Sequence, residues 1–107
     1  MTSSQNITFY VRLHVKSQHI EEWKDLLFDV VEKMSNEDTF VSCTLHQSLE
    51  NENLFTLYEC WSEPSVDSFV SKQMSKEYRR VYEERLPELL ESPRTASIAL
   101  SLQTWSK

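Results

Sequence analysis

A carboxylate set among apolar neighbours is the residue of this chain best placed to do chemistry. Glu59 stands between Leu57 and Trp61, and strand alternation puts all three on one face. Burying a bare charge is expensive, which leaves Glu59 two readings. It pairs with a cation such as Arg12 or Arg94, or it lines a pocket as a catalytic group with a raised pKa. His46 is the second candidate catalytic group, because a histidine titrates near neutrality and can take a proton from a phenol. The competing reading of His46 is a polar side chain on a sheet face, and His14 carries the same two readings as a substrate-binding residue. His19, near a helix start, reads as solvent-exposed. No H-x-x-x-H or Cys/His pairing at ligand spacing occurs, so no metal site is expected.

Trp61, Phe69 and Tyr82, together with Trp23 and Tyr78, could wall a cavity for a flat substrate, although residues at such spacings also build ordinary cores. Tyr82 adds a phenol that can donate a proton or ligate a haem iron. Arg12, Arg79 and Arg94 are the cations that could meet an anionic ligand. Cys43 and Cys60 read as buried thiols of a reducing compartment.

Positioning these groups falls to a short acidic chain. It has 107 residues, a net charge of −6 and no glycine, against an average usage of about 7%. Without glycine there is no phosphate-binding P-loop, no dinucleotide fingerprint and no nucleophile elbow. The acidic balance disfavours nucleic acid. No run approaches the roughly 20 apolar residues of a membrane span, and residues 1–6 lack the character of a signal peptide. A cytoplasmic chain forming one domain over residues 1–107, with its core at about 7–104, is expected.

Residues 7–15 alternate, with Ile7, Phe9, Val11, Leu13 and Val15 on one face: a half-buried strand. Ile20, Trp23, Leu27, Val30, Val31 and Met34 then recur at three and four, predicting an amphipathic helix over 18–35. Two further strands are expected at 40–49 and 54–61, joined by the asparagine-containing turn 50–53. A symmetric turn places Cys43 opposite Cys60, Thr44 opposite Glu59 and His46 opposite Leu57. Residues 62–65 read as a helix start, with serine as cap and proline in the first turn. The helical region continues to about 90 with a break or kink at 71–76 and Pro87, and a last strand spans 95–105.

The order β-α-β-β-α-β is an α+β, ferredoxin-like arrangement: a four-stranded antiparallel sheet with helices on one face. The other face is left to cover, and a second copy packing sheet to sheet would cover it.

The segments Asn53-Leu-Phe-Thr-Leu-Tyr-Glu-Cys-Trp61, Ser75-Lys-Glu-Tyr78 and Leu86-Pro-Glu-Leu-Leu-Glu-Ser-Pro93, with Val66 and Phe69, resemble the antibiotic biosynthesis monooxygenase family. The resemblance covers about residues 7–104. It implies a dimeric α+β barrel with a pocket between helices and sheet in each subunit. Members of that family include cofactor-free oxygenases of polyketide-derived quinols, haem-degrading enzymes and an isomerase of a phosphorylated signal molecule. Two histidines common in the family fall on Val70 and Glu77 here, and two glycines on Thr39 and Ser92.

The resulting expectation is a homodimeric monooxygenase, without metal or flavin, for a small aromatic or quinol-type molecule. His46 and Glu59 are its catalytic candidates; His14, Trp61, Phe69, Tyr82 and Arg94 are its substrate-binding candidates. An isomerase or binding protein for a small phosphorylated or oxidised metabolite, and a non-catalytic dimeric module, are the alternatives.

Overall fold

The computed structural model describes residues 6–107. Strand β1 (Ile7–His14) leads through a single turn of tight helix into α1 (Ile20–Met34). Hairpin strands β2 (Phe40–Gln47) and β3 (Leu54–Trp61) follow, then α2 (Val66–Phe69), α3 (Arg80–Leu89) and β4 (Thr95–Leu100). The sheet is antiparallel in the order β2-β3-β1-β4, the ferredoxin-like arrangement.

Helix α1 forms where the apolar stripe predicts it. Trp23, Leu27, Val30 and Met34 are buried, and Glu21 and Glu22 in the first turn and Lys33 in the last complement the helix dipole. Its stripe packs on the sheet face carrying Phe9, Leu13, Phe55 and Leu57. Trp23 meets Phe55 at 4.7 Å between ring centroids.

The second helical region is broken where its polar stretch predicts. A wide π-type turn (Val70–Met74) follows α2, and Ser75 and Lys76 separate it from the tight turn Glu77–Arg79 that opens α3. Ser65 caps α2 by accepting a hydrogen bond from the Ser68 N–H at 3.0 Å, so Pro64 lies just outside the helix rather than in its first turn. Pro87 does not break α3: lacking an N–H, it forgoes its own bond to the Glu83 carbonyl, and the helix still runs on to Leu89.

Beneath this region Glu63 is only 1% exposed. It accepts hydrogen bonds from Thr39, Ser68 and Gln73, which hold its carboxyl below the usual carboxylate range. Thr39, standing where the resembling family has a glycine, thus ties β2 to α2 through its hydroxyl. No described residue has a positive φ, so neither this position nor the hairpin needs glycine's freedom.

The hairpin corrects the expected register. Ser48 and Asn51 side chains bridge the turn's N–H groups, and the Ser48 N–H reaches the Leu54 carbonyl at 2.9 Å. Cys43 therefore faces Glu59, Leu45 faces Leu57 and His46 faces Thr56, one residue away from the symmetric expectation. A one-residue slip exchanges the two faces of a strand. Cys43 now lies on the helix side and Cys60 on the open side. Air or diamide oxidation is expected to leave both thiols free in the monomer, checked by peptide mass mapping for a 43–60 disulfide.

Strand β4 ends at Leu100, short of the expected 105, because its ladder partner β1 begins at Ile7, opposite Leu100. Leu102 and Trp105 beyond it are exposed, as is much of the sheet's open face, where Tyr10 and Tyr58 stack edge-to-face at 4.8 Å.

Candidate functional site

Between helices and sheet lies a cavity of about 220 Å³. Phe9, Leu57 and Ile98 form its sheet floor, and Leu27, Phe69 and Tyr82 close it from above. Four charged groups reach this largely apolar space: Glu59, Arg79, Glu83 and Arg94.

Glu59 projects from β3 on the helix-facing side and is 7% exposed. Trp61, two residues on and on the same face, donates its indole N–H to Glu59 Oε1 at 3.1 Å. Burial pushes the Glu59 carboxyl above its ordinary value of 4.5, opposed by that hydrogen bond and by the charges of Arg79 and Arg94. Of the two readings of Glu59, the cavity-lining one describes its position. No cation lies within salt-bridge distance of it among the described residues, and Arg12 projects from the opposite face beside Thr56.

Arg94 lines the cavity but is already committed. Its Nη1 and Nη2 donate to the two Glu83 oxygens at 3.0 and 2.6 Å. Arg79 is 6% exposed, and its Nη1 donates to Met74 Sδ at 3.5 Å. Its guanidinium carbon lies 5.6 Å from the centre of the Phe69 ring, a cation–π contact. Tyr82 accepts the Trp23 indole N–H at 3.3 Å, and burial pushes its phenol up to about 12. It stays protonated near neutrality and can donate a hydrogen bond but not serve as a base.

The structure thus brings Glu59, Phe69, Tyr82 and Arg94 together and separates the other candidates from them. Trp61 is fully buried between Phe40 and Phe69, with centroids at 5.3 and 5.1 Å, and supports the cavity wall from behind. It donates to Glu59 and is not among the residues that line the cavity. His14 and His46 lie on the open sheet face, exposed to solvent, and neither reaches the cavity. For His46 the reason is the hairpin register, which sends Leu45 and Cys43 inward instead. His19 stands at the start of α1, 3.6 Å from Glu22. Val70, at one of the family's histidine positions, lines the cavity, while Glu77, at the other, is exposed and paired with Arg80. Burial pushes the Cys43 thiol up to about 12, which removes it as a nucleophile.

Arg79 carries more of the site than its sequence signal suggests. Among three candidate cations nothing in the pattern separates it from Arg12, because its burial depends on the break before α3. Among the described residues no cluster of three or more His, Cys, Asp or Glu is placed to hold a metal ion. No helix among the described residues is long and apolar enough to cross a membrane.

This architecture, a four-stranded sheet with a helix-roofed cavity, is that of the ferredoxin-like α+β proteins. The family model of antibiotic biosynthesis monooxygenase matches residues 6–81, and the chain belongs to that family. Solved structures with the same fold include a conserved protein of Methanosarcina mazei at 21% identity, with a TM-score of 0.79 over 92% of this chain and 95% of that one. A Mycobacterium tuberculosis protein is 18% identical, with a TM-score of 0.80 over 94% and 99% of the two chains. A Nitrosomonas europaea protein, named as a candidate antibiotic biosynthesis monooxygenase, is 17% identical, with a TM-score of 0.82 over 95% of each. At these identities the likeness is one of fold. No curated protein matches the chain.

Proposed function

We propose that this protein is a cofactor-independent monooxygenase that oxidises a small, electron-rich aromatic or quinol-type molecule. The observation that carries the reading is one largely apolar cavity lined by a buried carboxylate with a raised pKa and by a buried guanidinium. Glu59 takes the proton of a ring hydroxyl, and Arg79 stabilises the ring oxyanion that results. Phe69 and Tyr82 hold the ring flat and keep water out. The ring anion passes an electron to dioxygen, and a carbon–oxygen bond forms at an activated ring carbon bearing hydrogen. Loss of water from the resulting hydroperoxide leaves a carbonyl. Two substrate hydrogens and one oxygen atom depart as water, and the other oxygen atom stays in the product.

The cavity is below the roughly 300 Å³ at which drug-sized sites begin, which suits one or two fused rings. A phosphorylated ligand fits less well: it brings two charges to a site whose second cation, Arg94, is taken by Glu83. The working form proposed is a homodimer in the cytoplasm, its open sheet faces packed together so that Tyr10 and Tyr58 leave water. The two free cysteines fit a reducing compartment.

The test is oxygen consumption over a panel of naphthols and naphthalenediols, with isotopically labelled dioxygen followed by mass spectrometry. The expected result is oxidation faster than in buffer, with one labelled oxygen atom per product molecule. Rates equal to buffer across the panel, or label-free product, would sink the reading.

A further inference from the structure

The Arg79 guanidinium has two nitrogens whose hydrogen-bonding capacity no group among the described residues meets. Nη1 is engaged by the weak acceptor Met74 Sδ. Nε and Nη2 are both shielded from solvent and have no partner in hydrogen-bond geometry among the described residues; the Tyr78 phenol, which donates to Glu37, stands close to the guanidinium without meeting that geometry. A buried charged donor left unpaired is costly, so it stands out from the rest of the cavity, where each polar side chain has at least one partner. Glu59 is held by Trp61, Tyr82 by Trp23, and Arg94 and Glu83 by each other.

The two unmet donors have a definite shape. Nε and Nη2 form one edge of the planar guanidinium, with parallel N–H bonds that match two coplanar oxygens of a single anion. Phe69 lies against the guanidinium and also lines the cavity, so an aromatic ring bound in the plane of that edge has a wall to rest on. The two nitrogens are shielded from the open volume of the cavity, and a ligand must displace the wall around them to reach that edge. Relief of the unpaired charge drives the exchange.

We propose that the Nε–Nη2 edge of Arg79 grips a planar aromatic monoanion through two oxygens on one side of the ligand, either vicinal ring oxygens or a carboxylate. The proposal rests on the cavity being the substrate site, and it narrows the substrate class to rings carrying such a pair. A ring anion with vicinal oxygens satisfies both donors with a single negative charge. A lone phenolate oxygen satisfies only one.

Two redox-inert probes separate the sources: tropolone, with vicinal ring oxygens, and naphthoate, with a carboxylate. Calorimetric titration is expected to show at least one of them binding to the wild type. Arg79→Met weakens that binding about 10- to 100-fold, the range of charge-assisted hydrogen bonds. Arg79→Lys keeps the charge, loses the coplanar pair and weakens it about 10-fold. The neutral counterparts, tropolone methyl ether and naphthamide, bind no better to the wild type than to Arg79→Met.

Binding of neither probe, or affinities unchanged in both variants, overturns the proposal. So does inorganic phosphate binding at Arg79 more tightly than either planar anion. Without ligand, Arg79→Met is expected to melt no lower than the wild type, since it removes an unpaired buried charge. A lower midpoint would make Arg79 a structural residue and end the proposal. The two readings fail separately. Arg79-dependent binding without turnover of any naphthalenediol defeats only the oxygenase reading, and turnover with binding indifferent to Arg79 defeats only this one.

Discussion

Glu59→Gln is expected to lower the rate of oxygen uptake by about 10²–10⁴-fold, the usual contribution of a positioned general base. The amide keeps the shape of the carboxyl and can still accept the Trp61 indole N–H, so the loss reports proton transfer rather than a rearranged cavity. Wild-type kcat/KM should climb with pH as Glu59 ionises, along a single limb whose midpoint lies above the ordinary 4.5, because burial raises this pKa. A flat profile, or turnover by the Glu59→Gln variant within a few-fold of the wild type, would remove Glu59 from the chemistry.

The same group makes a stability prediction of determined sign. A carboxyl whose folded pKa is raised binds its proton more tightly in the folded state than in the unfolded one. Its favourable contribution is therefore full below the unfolded value and is lost as pH rises through the folded value. Glu59→Gln stays neutral throughout. The variant should match the wild type in the acid range and exceed it in denaturation midpoint once Glu59 is ionised, with the gap opening above 4.5. Activity and stability thus move in opposite directions on one substitution, the pattern of a group buried for function.

Trp61→Ala is expected to have the largest effect on the fold. Its side chain is wholly buried, with edge contacts to Phe40 and Phe69. Truncating a buried tryptophan costs about 3–5 kcal/mol, against a total stability of about 5–15 kcal/mol for an ordinary domain. Urea titration should show a large drop in midpoint; a loss under about 1 kcal/mol, the scale of surface changes, would contradict the packing described. Trp61→Phe separates the two duties of this residue. It keeps most of the ring and removes the N–H that opposes the upward shift of Glu59. The expected outcome is a modest loss of stability together with a kcat/KM midpoint displaced to higher pH. A substrate-contacting tryptophan would instead change KM with no movement along the pH axis.

Much of this was legible in the chain. Alternation in residues 7–15 and 54–61 and the three–four spacing of Trp23, Leu27, Val30 and Met34 reflect local periods that each residue shares with its neighbours. They determined the α+β order, the identity of the buried stripe and the inward orientation of Glu59. The family followed from the same local segments, above all from the run between Asn53 and Trp61.

Tertiary structure decided which polar groups meet. The β2–β3 register depends on how Ser48 and Asn51 close the turn, a matter of one residue, and with it His46 moved from the cavity to the open face while Cys43 moved in. Arg79 and Arg12 are alike in sequence terms. One is drawn into the cavity because the chain breaks at Ser75 and Lys76 and restarts α3 beside Phe69, and the other stands on the outer face of β1. Sequence by itself therefore set the frame and the acid, because periodicity is local. The acid's surroundings, with one cation taken by Glu83 and one left open, came only from segments far apart in the chain being packed into one small volume.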